Sequence, residues 1–232
     1  QLIAGPIVNY TEVSSCLKRR TVTARDFESG VRILVIGLGS KVIIADRVGM
    51  LWNNVQTIGF NSISTPLAWL GAVAYSMELY FDFAGYSMMA IGLGKMLGFQ
   101  IPVNFRFPYI SKSVTEFWRR WHMTLGRWLH DCLYQPLGGS RHGRVRQYAN
   151  LLLTMLVCGV WHGAGLTFLL WGALHGLLLL VNHAFRHLLR GSLAERVLAL
   201  PPLRALCVLV TFLCLTVAWV LFRAGDTGTA LH

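Results

Sequence analysis

Charge is what this sequence has least of. Only 13% of its 232 residues are Asp, Glu, Lys or Arg, against roughly 25% in an ordinary soluble domain. Acids are the rarer half, ten against 21 Lys and Arg, while 54% of the chain is hydrophobic. That mixture argues against a soluble domain and for an integral membrane protein. The excess positive charge is spread between apolar segments and does not form one basic face, so no nucleic-acid partner is expected. Interleaving of this kind is what the bias of Lys and Arg toward cytoplasmic loops produces.

Other absences narrow the chemistry. The five cysteines, Cys16, Cys132, Cys158, Cys207 and Cys214, show no CxxC spacing, and three lie in apolar runs where a thiol acts as a small hydrophobe. Neither a disulfide nor a metal site is expected. A Gly-x-Ser-x-Gly elbow and a papain-like cysteine signature are missing, so an acyl-enzyme on Ser or Cys has no support. Gly138-Gly139 lacks the surroundings of a phosphate loop and reads as a turn. The chain has no internal repeat. It opens on Gln1-Leu2-Ile3-Ala4-Gly5-Pro6, with no signal peptide and no initiator methionine, and reads as a piece of something longer.

What is present is a series of apolar segments. The first, Val31 to Trp52, has the ~20 residues needed to cross a hydrocarbon core but carries Lys41, Asp46 and Arg47, which must pair, face protein or reach an interface. The second, Pro66 to Met96, is longer than a span requires and holds Glu78 and Asp82, four residues apart and therefore on one helix face. It is expected to tilt or break near Gly85, Gly92, Gly94 and Gly98. The last, Leu203 to Phe222, follows Pro201-Pro202 and is an ordinary span.

Between them lies the run Asn150 to Asn182, interrupted by Trp161-His162-Gly163. As one helix, its 33 residues would measure about 50 Å at ~1.5 Å per residue, well beyond a ~30 Å core. Charge gives an independent test. Residues 52–65 hold no Lys or Arg, whereas 97–148 hold eight (Arg106, Lys112, Arg119, Arg120, Arg127, Arg141, Arg144, Arg146) against two acids. Two passes turning at His162 to Gly165 put the arginines of 184–202 on the same cytoplasmic side as that loop, and one pass does not. The turn leaves His162 on irregular backbone, tolerated at membrane depth only where protein or a wet path surrounds it.

The stretch 97–148 is expected to be a cytoplasmic-side basic loop that includes an amphipathic helix. Ser113-Val114-Thr115-Glu116 has the spacing of a capping box, and the segment after it continues to Leu133. Trp118, His122, Leu125 and Leu129 form one stripe at helical spacing, with Phe117, Trp121, Thr124 and Trp128 beside it and charges around the rest, the pattern of an interfacial helix.

Histidine is the side chain that both takes and gives a proton near neutral pH, so His162 and His122 are the candidate catalytic residues. The alternatives are a packing histidine bonded to a helix carbonyl for His162 and a snorkelling interfacial ring for His122. Trp161 can wall a pocket at His162. His175 follows Trp171 by one turn and either supports that pocket or packs. His130, His142, His183, His187 and His232 fall in or near polar segments and read as solvated. Glu78 and Asp82 read either as paired carboxylates, for a proton relay or as acid and base, or as the neutralisers of cations such as Lys41 or Arg47, the last being preferred.

Taken together, Glu116-Phe117-Trp118-Arg119-Arg120-Trp121-His122-Met123-Thr124-Leu125, Leu133-Tyr134-Gln135-Pro136-Leu137-Gly138-Gly139, Gly159-Val160-Trp161-His162-Gly163-Ala164 and Leu174-His175-Gly176 resemble the membrane-bound O-acyltransferase family. Within it the chain is similar to the alginate O-acetylating branch more than to the branch that supplies D-alanine to teichoic acid. The similarity runs from Gly5-Pro6 to about Arg223. It implies an all-α, polytopic transmembrane bundle with interfacial helices, here a single membrane-embedded domain over 1–232 corresponding to the C-terminal portion of the family fold. It implies a bacterial inner-membrane location, catalysis by the residue matched by His162, and a second histidine of interest matched by His122.

Acyl transfer from a thioester to a sugar hydroxyl needs a base for the hydroxyl proton and a donor to the developing oxyanion. His162 is expected as the base. His122, Trp118 or a backbone amide near the helix break is expected to stabilise the oxyanion or orient the donor, with Trp118, Trp161 and His175 lining the substrate path. No bound cofactor is implied, and acetyl-CoA is the expected acyl donor. The expected partners are the lipid bilayer and either an exopolysaccharide or periplasmic acetyltransferase proteins. The rival expectation is an acyl-passing or proton-coupled channel whose partner performs the esterification.

Overall fold

The computed structural model describes residues 5–59, 62–224 and 227–228. Gln1-Leu2-Ile3-Ala4 and His232 lie outside the described residues. Every regular element among the described residues is helical, as expected, and the chain divides into two bodies, residues 1–106 with 122–125, and residues 107–121 with 126–232.

In the first body, α1 (Tyr10–Lys18) precedes α2 (Ala24–Gly39). Thr23 opens α2 with a closed capping box: its hydroxyl accepts from the Asp26 amide at 3.1 Å while the Asp26 carboxylate accepts from the Thr23 amide. Such caps contribute about 1 kcal/mol. A π-turn, Ser40–Ala45, carries α2 directly into α3 (Asp46–Ile58). The first apolar segment is therefore helical throughout.

The second apolar segment forms α4 (Thr65–Met96), a helix of 32 residues. No break occurs at its glycines, and the helix stops at Gly98, whose φ is +77°. The glycines serve packing instead. A Cβ on Gly92 would lie 2.6 Å from the Gly30 carbonyl, and one on Gly85 would lie 2.6 Å from the Gly37 carbonyl. The two pairs recur seven residues apart on both helices, so α2 and α4 approach backbone to backbone. Small residues at helix interfaces have this use in membrane proteins. Beyond the π-turn the register slips, and Trp52 meets Tyr75 at 5.5 Å between ring centroids while Val55 packs on Gly71. Lys41 on the π-turn pairs with Asp82 of α4 and lies 3.8 Å from Asp46, which realises the neutralising role preferred for Asp82. Glu78 sits against Gly49.

In the second body, a 3₁₀ turn (Pro108–Ile110) leads to α5 (Val114–Trp118). The stretch expected as one amphipathic helix is broken: α5 stops at Trp118, residues 119–122 turn, and α6 (Met123–Leu129) and a π-turn (His130–Tyr134) follow. The boundary between the two bodies falls inside α6. Only half of the expected capping box at Ser113 closes. Its hydroxyl accepts from the Glu116 amide, while the Glu116 carboxylate bonds the amide of Lys112, one residue too early. Pro136 to Gly139 form the expected turn, with φ +99° at Gly138 and +55° at Gly139, values that favour glycine. Asn150 clamps it, donating to the carbonyls of Leu137 and Gly139 at 3.1 and 3.0 Å.

The helix α7 (Gly143–His162) ends at the expected turn, and α8 (Leu166–Leu189) returns antiparallel to it. Gly159 and Gly172 bring the two backbones together, a Cβ on Gly159 standing 3.2 Å from the Gly172 Cα. After α9 (Leu193–Leu198), α10 (Pro201–Arg223) packs on α8 through Trp219 and Phe222, both against Trp171. Two described helices, α8 and α10, are long and apolar enough to cross a membrane. The other long helices carry charges or amides within them, among them Lys41, Asp82, Arg146 and Asn150.

Candidate active site

In the second body the site grows from the stop of α7. The Gly163 amide reaches the Val160 carbonyl at 3.2 Å and closes the last turn. A side chain at Gly163 would meet the Phe168 ring at 2.5 Å, so a glycine there lets α8 turn back at once. The half-buried imidazole of His162 thus sits at a helix end, edge-on to Trp161, Trp171 and Phe222 at centroid distances of 4.9, 5.2 and 5.1 Å. Trp161 is 48% exposed.

Three turns along α8 the ring of His175 is fully buried, 4.7 Å from Trp171, 5.2 Å from Trp118 and 6.0 Å from Trp219. Trp118 is held there because Thr115 of α5 donates to Asn182 of α8 at 2.7 Å. Both nitrogens of His175 and the indole nitrogens of Trp118, Trp171 and Trp219 are buried without a hydrogen-bond partner among the described residues. Leaving a buried donor unpaired costs about 1–3 kcal/mol. Three indoles that can only donate, around a histidine that can donate or accept, make an environment suited to an acceptor oxygen, whether of a carbonyl, an oxyanion or water.

The first body holds the other histidine. His122 adopts a left-handed backbone, φ +42°, which costs about 1–3 kcal/mol and persists only where neighbours impose it. They do so here: the next amide, Met123 N–H, donates to the Asn104 carbonyl at 2.9 Å and not to a helical acceptor. The buried ring lies edge-on to Phe83 at 4.8 Å and stacks near Phe105 at 6.4 Å. Its Nδ1 is 3.1 Å from the Asn104 side-chain oxygen.

Of the residues singled out from sequence, Trp118, Trp161, His162 and His175 fall in one body and His122 in the other. Sequence reading missed Asn104 and the α10 pair Trp219 and Phe222. The latter are three apart and share a helix face, a signal that was legible; Asn104 lay in the part of the basic loop 97–148 before its amphipathic segment, where no residue was singled out. His130, His142 and His187 are exposed and His183 half-buried. At the start of α5, burial pushes the Glu116 carboxyl up, but the Lys112 amide and the Arg120 guanidinium, 2.7 Å away, outweigh it and hold its pKa below the ordinary carboxylate value. No group of His, Cys, Asp and Glu suited to a metal ion occurs among the described residues.

Comparison with known proteins places these features in context. Residues 1–222 match the model of the membrane-bound O-acyltransferase family. A "Probable alginate O-acetylase" of Pseudomonas aeruginosa is 46% identical over 99% of this chain and 42% of its own length. A peptidoglycan O-acetyltransferase of Helicobacter pylori is 42% identical over all of this chain and 43% of its own. A teichoic acid D-alanyltransferase of Streptococcus thermophilus is 28% identical over 94% of this chain and 58% of its own. The chain thus spans less than half the length of the first two relatives.

Proposed function

Because this chain belongs to the membrane-bound O-acyltransferase family, we propose that the whole protein transfers an acetyl group from a cytoplasmic thioester, acetyl-CoA, toward hydroxyls of a polysaccharide exported across a bacterial inner membrane. Membership and the two membrane-length helices support a membrane location. The observation that carries the catalytic reading is the position of His162 at the break between α7 and α8, among Trp161, Trp171 and Phe222. In this reading His162 removes the proton of the acceptor hydroxyl as its oxygen attacks the thioester carbonyl. The tetrahedral intermediate then collapses, the C–S bond breaks, and the thiolate takes up a proton. The donors around His175 suit the oxyanion formed on the way.

The 46% and 42% identities to relatives named for alginate and for peptidoglycan support an acetylated glycan as the end point. An exopolysaccharide, reached directly or through periplasmic acetyltransferase partners, is favoured by the slightly higher identity of the first. The test is reconstitution of the full-length protein in vesicles with labelled acetyl-CoA outside and glycan acceptor inside, alongside mass spectrometry of the cell's glycans with and without the gene. Acetyl ester formed by the purified protein, and lost from one glycan on deletion, is the expected outcome. Label crossing the membrane without ester formation would identify an acyl-passing channel and overturn the enzyme reading.

A further inference from the structure

We infer that Asn104 is a positioning residue that fixes His122 as the tautomer protonated at Nδ1, so that His122 meets a substrate O–H through Nε2 as an acceptor and does not donate to an oxyanion. The inference rests on the proposed acyl transfer for its functional half and on geometry alone for its structural half.

The orientation of the Asn104 amide follows from its partners. One atom of that amide receives the Thr124 backbone N–H at 3.2 Å and lies 2.9 Å from the Thr124 hydroxyl. A backbone N–H can only donate, so that atom is the oxygen. The nitrogen then donates to the Ser87 hydroxyl at 3.2 Å, which gives both ends of the amide a partner. The Thr124 hydroxyl accepts from the Ile7 amide at 2.9 Å, which leaves its proton for Asn104. His122 Nδ1 faces this same oxygen at 3.1 Å and must therefore present its N–H. A neutral imidazole with hydrogen on Nδ1 keeps its lone pair on Nε2. Asn104 is 1% exposed and His122 3%, so water does not compete for the bond.

The backbone supports the same reading. Asn104 bonds the His122 segment twice over, by side chain to the ring and by carbonyl to the Met123 amide, and thereby imposes the left-handed turn that breaks the amphipathic stretch. The sequence reading that gave His122 an oxyanion-stabilising role requires Nε2–H, which this tautomer lacks in the neutral ring.

The test uses the full-length protein with ¹⁵N-histidine in lipid nanodiscs, the His122 signal being identified by its loss in His122→Gln. The wild-type ring is expected to carry its proton on Nδ1 and none on Nε2 when neutral. In Asn104→Leu the tautomers mix and kcat falls by about tenfold to a hundredfold at unchanged KM, the worth of one or two hydrogen bonds. Asn104→Asp keeps the acceptor and guards against misfolding of the leucine variant. Its carboxylate favours the imidazolium, so the acidic limb of the kcat/KM profile moves to higher pH.

An Nε2–H tautomer in the wild type overturns the inference whether or not the protein transfers acetyl. Active protein whose acidic limb does not move in Asn104→Asp overturns its functional half. Absence of acetyl transfer by the wild type, with the Nδ1–H tautomer seen, counts against the proposed function and leaves the structural half standing.

Discussion

The two histidine environments are built on opposite principles. Around His122 the neighbours include, beside the rings of Phe83 and Phe105, the polar Asn104, Thr124 and Ser87, which form a hydrogen-bonded set. Around His162 and His175 they are aromatic, and the polar atoms of Trp118, Trp171, Trp219 and His175 have no partner among the described residues. A satisfied network fixes the orientation and protonation of a ring. The aromatic cage places no such constraint on the His175 nitrogens among the described residues. The difference separates a histidine held by a hydrogen bond from histidines held among rings.

The sharpest way to break this contrast is at His175. In the full-length protein His175→Phe keeps the ring packing while removing two orphaned nitrogens. Turnover is expected to fall by about 10²–10³-fold, the range for loss of a group at a developing oxyanion, while stability holds or rises because an unpaired buried polar group is gone. A variant with unchanged turnover would make His175 a packing residue and the cage a core. Next in size is Gly159→Leu, which forces a side chain into the α7–α8 contact. Overpacking of this kind costs about 1–3 kcal/mol, and thermal unfolding in detergent should fall accordingly while the His122 resonances stay in place.

Smaller effects test the supports. Thr23→Ala removes the cap of α2 and should cost about 1 kcal/mol, visible in hydrogen exchange at the start of that helix and nowhere in the aromatic cage. The smallest concerns Glu116. Its folded-state pKa lies below the ordinary value, so its contribution is fully present above that value and is lost as pH falls through the lowered one. Wild type and Glu116→Gln should therefore differ in stability near neutral pH and converge in acid; a difference that widens in acid would reverse the sign.

How much of this was legible in the sequence follows from which interactions are local. The turn at Gly163 was readable because length and charge rules both demand it, and the Asp82 partnership with Lys41 because charges within an apolar segment need partners. Of the tilt or break expected near the glycines of α4, the break does not occur. Glycine weakens a helix locally, but here Gly85 and Gly92 admit the backbone of α2, a tertiary gain that period and propensity do not display. The break at His122 was invisible for a related reason. The apolar period runs through it without interruption, and the cause is Asn104, eighteen residues away.

The central claim is that His162 is the base for acyl transfer, and its replacement tests that most directly. Initial rates of ester formation would be measured with full-length wild type and His162→Ala at equal protein level in the same vesicles. The expected result is a loss of about 10²- to 10⁴-fold, the usual worth of general-base assistance, with membrane insertion intact. Wild-type rates in His162→Ala would contradict the account.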